Sequence, residues 1–65
     1  MNWEQVKGQW QQLKGQAQQI WGEITDNEWD QIDGRREALV GKIQERYGRR
    51  KEEAEREIDE WLHKL

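Results

Sequence analysis

Apolar side chains recur at Trp3, Val6, Trp10, Leu13, Ala17 and Ile20. These steps of three and four, at about 100° per residue, fall on roughly one-third of a helix circumference. Asn2 with Gln5 is suited to cap the start of this helix, and Gly22 suits a left-handed stop. Thr25-Asp26-Asn27-Glu28 then reads as a capping box, with Ile24 placed as a hydrophobic staple onto Trp29. A second stripe follows at Trp29, Ile32, Leu39, Val40, Ile43 and Tyr47, and Gly48 ends it. A last amphipathic helix, from about residue 50 to about 64, carries Ala54, Ile58, Trp61, Leu62 and Leu65. Glu52 and Glu53 open it and His63 and Lys64 close it, as the helix dipole favours. No proline interrupts the pattern.

Displaced by 26 residues, segment 1–22 aligns with 27–48. Trp3 falls on Trp29, Gln5 on Gln31, Gly8 on Gly34, Leu13 on Leu39, Gly15 on Gly41, Gln18 on Gln44 and Gly22 on Gly48. Shared helix composition explains the glutamines but not the glycine register, so the chain reads as a duplicated helical unit followed by a third segment. The pattern predicts an all-α bundle. Its second unit is either one helix or two, broken at Gly34 into about 25–33 and 35–47. Trp3, Val6, Trp10, Leu13, Ala17, Ile20, Trp29, Ile32, Leu39, Ile43, Tyr47, Ile58, Trp61 and Leu62 are its expected core, while Trp21 sits at a helix end.

Composition thins that core. Of 65 residues 32% are hydrophobic and 38% charged, with five Trp and no Phe, so a few large rings must supply much of the buried area. Gly8, Gly15, Gly34 and Gly41 all point about 170° from the centres of their stripes, and together cost about 2–4 kcal/mol against alanine. Either another backbone packs closely on those faces, or the fold is held near its stability limit and orders conditionally.

The same inventory excludes most catalysis. With no Ser, no Cys, one His and one Thr, serine- and cysteine-nucleophile mechanisms lack their nucleophile, and no disulfide or thiolate metal site can form. Glu60 and His63 have the Glu-x-x-His spacing of helical di-metal sites, but such sites need a second His that this chain lacks. No phosphate-loop glycine motif and no membrane-length apolar run occurs. The expectation is a soluble, cytoplasmic, non-enzymatic chain without catalytic residues, metal or cofactor.

Net charge is −3, yet the signs are segregated. Residues 23–34 hold five acids and no base, 35–51 hold seven bases against Glu37 and Glu45, and 52–65 hold six acids against Arg56 and Lys64. Arg35, Arg36, Lys42, Arg46, Arg49, Arg50 and Lys51 are the candidate polyanion contacts. The flanking acids, and helix pairs such as Glu52–Arg56 and Arg49–Glu53, weigh toward a self-paired surface instead. Where the first unit carries Trp10 and Ile20, the second carries Arg36 and Arg46; their stems either cover Trp faces or open one side to an acidic partner. Trp3, Trp10 and Trp21 as anchors of a membrane-surface helix are disfavoured, because the polar face of that helix is mostly glutamine.

Asn2-Trp3, Lys7-Gly8, Lys14-Gly15, Trp21-Gly22 and Thr25-Asp26 resemble the bacterial CsbD-like family. The closest stretch is Leu39-Val40-Gly41-Lys42-Ile43-Gln44-Glu45-Arg46-Tyr47-Gly48, followed by Lys51-Glu52-Glu53-Ala54-Glu55. The resemblance spans nearly the whole chain and implies one domain over 1–65, four helices in two packed hairpins, and a small general stress-response protein with no established activity. It carries no catalytic or ligand residues. Relatives look richer in Lys where this first helix has Gln, and a consensus or engineered member of the family would share the same features. The expected function is a non-enzymatic stress protein acting through its own solubility or weak contacts. The alternatives are a nucleic-acid-binding module using 35–51 and a homo-oligomer pairing its Trp- or Arg-bearing faces.

Overall fold

Local signals in the sequence place most helix ends. Asn2 Oδ1 accepts from the Gln5 N–H at 2.9 Å while Gln5 Oε1 accepts from the Asn2 N–H at 3.0 Å, a reciprocal cap that starts α1 (Trp3–Gly8). Thr25 and Glu28 do the same for α3 (Asp26–Ile32). The N–H of Arg50 donates to Glu53 Oε1 at 2.8 Å where α5 (Lys51–Lys64) begins. Between them lie α2 (Trp10–Ile20) and α4 (Arg36–Tyr47). The computed structural model describes residues 1–65 as these five helices, all-α as the periodicity predicts.

The second unit does break at Gly34. Asp33 (φ 45°) and Gly34 (φ 77°) are both left-handed, which no continuous helix tolerates. The first unit breaks as well, giving five helices where four or three were expected. Gln9, at φ −115° and ψ 25°, separates α1 from α2. Gly8, the register partner of Gly34, ends α1 here, and two contacts of the N-terminal segment hold it in place. Trp3 Nε1 donates to the Gly34 carbonyl at 2.9 Å, and the amino group of Met1 donates to the Leu62 carbonyl at 3.0 Å. α2 and α4 start in register, Trp10 against Arg36 at the 26-residue displacement, whereas α1 and α3 do not.

Gly22 is not the left-handed stop it was expected to be; positive φ among glycines is confined to Gly34 and Gly48. α2 instead ends at Ile20, and Trp21 (φ −114°, ψ 61°) turns its ring into the core, where it is 1% exposed. Ile20, expected inside, is 49% exposed as a consequence. The stripe positions of α2 reach the core only as far as Ala17, and the larger indole of Trp21, one residue past Ile20, takes the place at the helix end.

Fourteen buried residues form one cluster, with Trp3, Ala38, Tyr47, Leu62 and Leu65 half-buried against it. Trp21, Ile24, Val40 and Ala54 join the buried positions beyond the expected core. All five tryptophans form one run: Trp29 to Trp10 (6.1 Å between centroids), Trp10 to Trp3 (6.0 Å), Trp3 to Trp61 (6.4 Å) and Trp61 to Trp21 (5.7 Å, edge-on). Tilted and edge-to-face pairs at these separations add to the area they bury. The run stitches α3, α2, α1 and α5 together, which is how so few apolar residues close the bundle. Its radius of gyration, 10.6 Å, is that of a compact chain of this length.

Candidate functional site

The basic segment begins where α3 turns into α4. Arg35 folds back onto the end of α3, its guanidinium donating to the carbonyls of Gln31 and Ile32. Cationic donors at a helix C-terminus complement the dipole and satisfy its last carbonyls. Arg36 reaches across to α5, its Nη2 2.9 Å from Asp59 Oδ1. Neither it nor Arg46 covers a Trp face; the cation over an aromatic ring is Arg49, 5.8 Å from the Tyr47 centroid.

Lys42 and Arg46, one turn apart on α4, converge on Glu28. Lys42 Nζ lies 3.3 Å and Arg46 Nη2 2.8 Å from Glu28 Oε2, with Arg46 Nε 3.0 Å from Oε1. Glu28 is buried, at 8% exposure, and also accepts from the Thr25 N–H and hydroxyl. The Arg46 hydrogen bond, followed by the Thr25 N–H, holds its carboxyl down from 4.5 to about 2, against the opposing effect of burial. Arg46 is raised in turn by Glu28. One carboxylate thus caps α3 and pins it to α4. The Thr-x-x-Glu motif shows the cap in the sequence, but nothing there shows that residues 42 and 46 close on the same oxygens.

Arg49 donates from Nε to Glu57 Oε2 at 2.8 Å, rather than pairing with Glu53 as helix spacing suggests. Glu57 Oε1 accepts at 3.0 Å from Nε1 of Trp21, which is buried although it lies outside the expected core. Tyr47 closes this end of the molecule, its hydroxyl oxygen accepting from the Glu23 N–H at 3.0 Å. Arg50 and Lys51 carry no ion pair. Of the seven candidate polyanion contacts, five are therefore tied to groups of the same chain. The seven do not converge on one surface: Lys42 and Arg46 face α3, and Arg36 and Arg49 face α5.

The open clefts are mixed in sign. The one between α4 and α5, ≈ 460 Å³, is lined by Arg36, Lys51, Glu37 and Glu55 around Val40 and Gly41. Glu60 and His63 are exposed on α5, and no group of three or more His, Cys, Asp or Glu is close enough to hold a metal. No helix is long and apolar enough to cross a membrane. The arrangement neutralises charge within the fold.

The CsbD-like family model matches residues 4–56. The UPF0337 protein YjbJ of Escherichia coli O6:H1 (strain CFT073) is 49% identical over 60 residues, which cover 92% of this chain and 77% of that protein. No solved structure matches the chain. The matched stretch takes in most of α1, all of α2, α3 and α4, the Glu28 hub and the start of α5, and the chain belongs to the CsbD-like family of small bacterial stress-response proteins.

Proposed function

We propose that this chain is a non-enzymatic stress protein, protecting other macromolecules through weak contacts of a polar surface carried on a fold held near its stability limit. One observation carries the reading. Gly8, Gly15 and Gly41 all lie in helices, and no atom stands within 4 Å of where a Cβ would be. Gly15 and Gly41, inside their helices, each cost about 0.5–1 kcal/mol against alanine and gain no packing within the chain. A domain of this size holds only about 3–10 kcal/mol in total, so such residues set how readily it orders. Family membership supports the stress-response setting, and the internally neutralised basic segment favours weak contacts over a dedicated polyanion site.

The test is loss of a reporter enzyme's activity on heating or drying, with this protein or an inert carrier of equal mass added. Slower loss with this protein is expected, and less protection from a Gly15→Ala/Gly41→Ala variant that melts higher. Equal loss with protein and carrier overturns the reading.

A further inference from the structure

We propose that the tryptophan run is a path for one-electron oxidation, entered at Trp3 by a small oxidising radical and ending at Trp21, where Glu57 accepts the indole proton. This goes beyond the protective reading and does not depend on it.

Indole gives up one electron more readily than most side chains, and here it has few rivals. The chain has five Trp against no Cys, one Met and one Tyr. Phe is absent, so the fully buried aromatic rings are all indoles. A phenyl ring would also bury a large apolar area, but it resists oxidation.

Access is confined to one ring. Trp3 is half-buried, whereas Trp10, Trp21, Trp29 and Trp61 are at most 5% exposed. Trp3 is also the middle member of the run, with Trp10 at 6.0 Å on one side and Trp61 at 6.4 Å on the other. Centroid separations of this size are those of interacting aromatic pairs, so an electron vacancy made at Trp3 can pass either way. The N–H of Trp3 itself is held by the Gly34 carbonyl at 2.9 Å.

The two branches end differently. Toward α3, Trp10 Nε1 is buried with no partner, and Trp29 Nε1 donates to the Ile24 carbonyl at 3.1 Å. An amide carbonyl is too weak a base to take the proton, and a positive ring without an acceptor is costly to bury. Toward α5, Trp61 meets Trp21 edge-on at 5.7 Å, close enough for the face of one indole to stabilise positive charge on the other. Trp21 Nε1 then donates to Glu57 Oε1 at 3.0 Å, whereas Trp3 and Trp29 donate to backbone carbonyls. A carboxylate stabilises the cationic ring and, unlike a carbonyl, takes its proton. Arg49, on Oε2 at 2.8 Å, holds that carboxylate in place and leaves Oε1 to the indole.

The step moves one electron and one proton. The oxidising radical gains the electron at Trp3, and the vacancy moves through Trp61 to Trp21. There the N–H bond breaks with its electron pair left on nitrogen, and the proton forms an O–H bond on Glu57. The products are the reduced oxidant, a neutral indolyl radical and a protonated carboxyl.

Pulse radiolysis of the full chain at neutral pH, with azide radical as the one-electron oxidant, tests this. The indole radical cation and the neutral indolyl radical absorb at different wavelengths, so loss of the proton is read directly. Wild-type protein is expected to show the neutral radical with little cation before it. Glu57→Gln keeps an acceptor for Trp21 but no base, so proton loss slows about tenfold or more and then quickens with added buffer base. Trp61→Phe interrupts the path and slows it likewise; should that variant fail to fold, Glu57→Gln carries the test. Proton loss at the wild-type rate in Glu57→Gln overturns the proposal. So does a vacancy that comes to rest on Tyr47, or a folded chain that azide radical does not oxidise.

Discussion

Trp21 Nε1 donates to Glu57 Oε1 at 3.0 Å, and the other oxygen of the same carboxylate accepts from Arg49 Nε at 2.8 Å. A buried indole is thereby linked to the basic segment through one acid on α5. Glu57→Ala leaves the indole N–H without an acceptor and releases Arg49, at a cost of about 1–3 kcal/mol. Glu57→Gln retains an acceptor for Trp21 and costs less. Urea midpoints at constant slope separate the two.

Glu28 makes stability depend on pH in a defined window. Its carboxyl is lowered to about 2 in the folded chain from an ordinary 4.5, so the unfolded state binds the proton more readily. The stabilisation is complete above about 4.5 and is lost as pH falls toward about 2. Glu28→Gln is expected to be less stable at neutral pH and to show a flatter stability profile across that window. Chemical denaturation at several pH values checks both.

Two glycines of the second unit respond to alanine with opposite sign. Gly41→Ala meets nothing within 4 Å and stabilises by about 0.5–1 kcal/mol. Gly34→Ala destabilises by about 1 kcal/mol or more, because φ is 77° there. Its Cβ would meet Trp10 at an ordinary 3.5 Å, so backbone conformation rather than crowding sets the sign. Melting temperatures of the two variants decide it.

Trp10 and Trp29 are matched in burial but not in hydrogen bonding. Trp29 Nε1 donates to the Ile24 carbonyl at 3.1 Å, while Trp10 Nε1 is buried with no partner. Trp10→Phe removes an unsatisfied donor along with some area, whereas Trp29→Phe also strands a carbonyl. The second is expected to cost about 1 kcal/mol more, measured by denaturant unfolding.

Where a feature depends on a few neighbouring residues, it was legible in the chain. The caps at Asn2 and Thr25, the left-handed end at Gly48 and the inward stripe of α5 all rest on contacts within about one turn. The candidate site was less legible. Helix spacing pairs Arg49 with Glu53, but the fold gives it Glu57, because Arg49 lies in the link between α4 and α5, outside either helix.

By itself, the sequence determined an all-α chain, a repeat in glycine register, tryptophan as the substance of the core and two of the capped starts. Those follow from periodicity, side-chain size and local hydrogen bonding, which act over a few residues. Only the tertiary structure decided that α1 and α2 part at Gln9, that Trp21 rather than Ile20 is buried, and that Lys42 and Arg46 close on Glu28. Each of those is a choice between near-equal local options. Contacts between elements distant in sequence tip the balance, and no stretch of one helix encodes them.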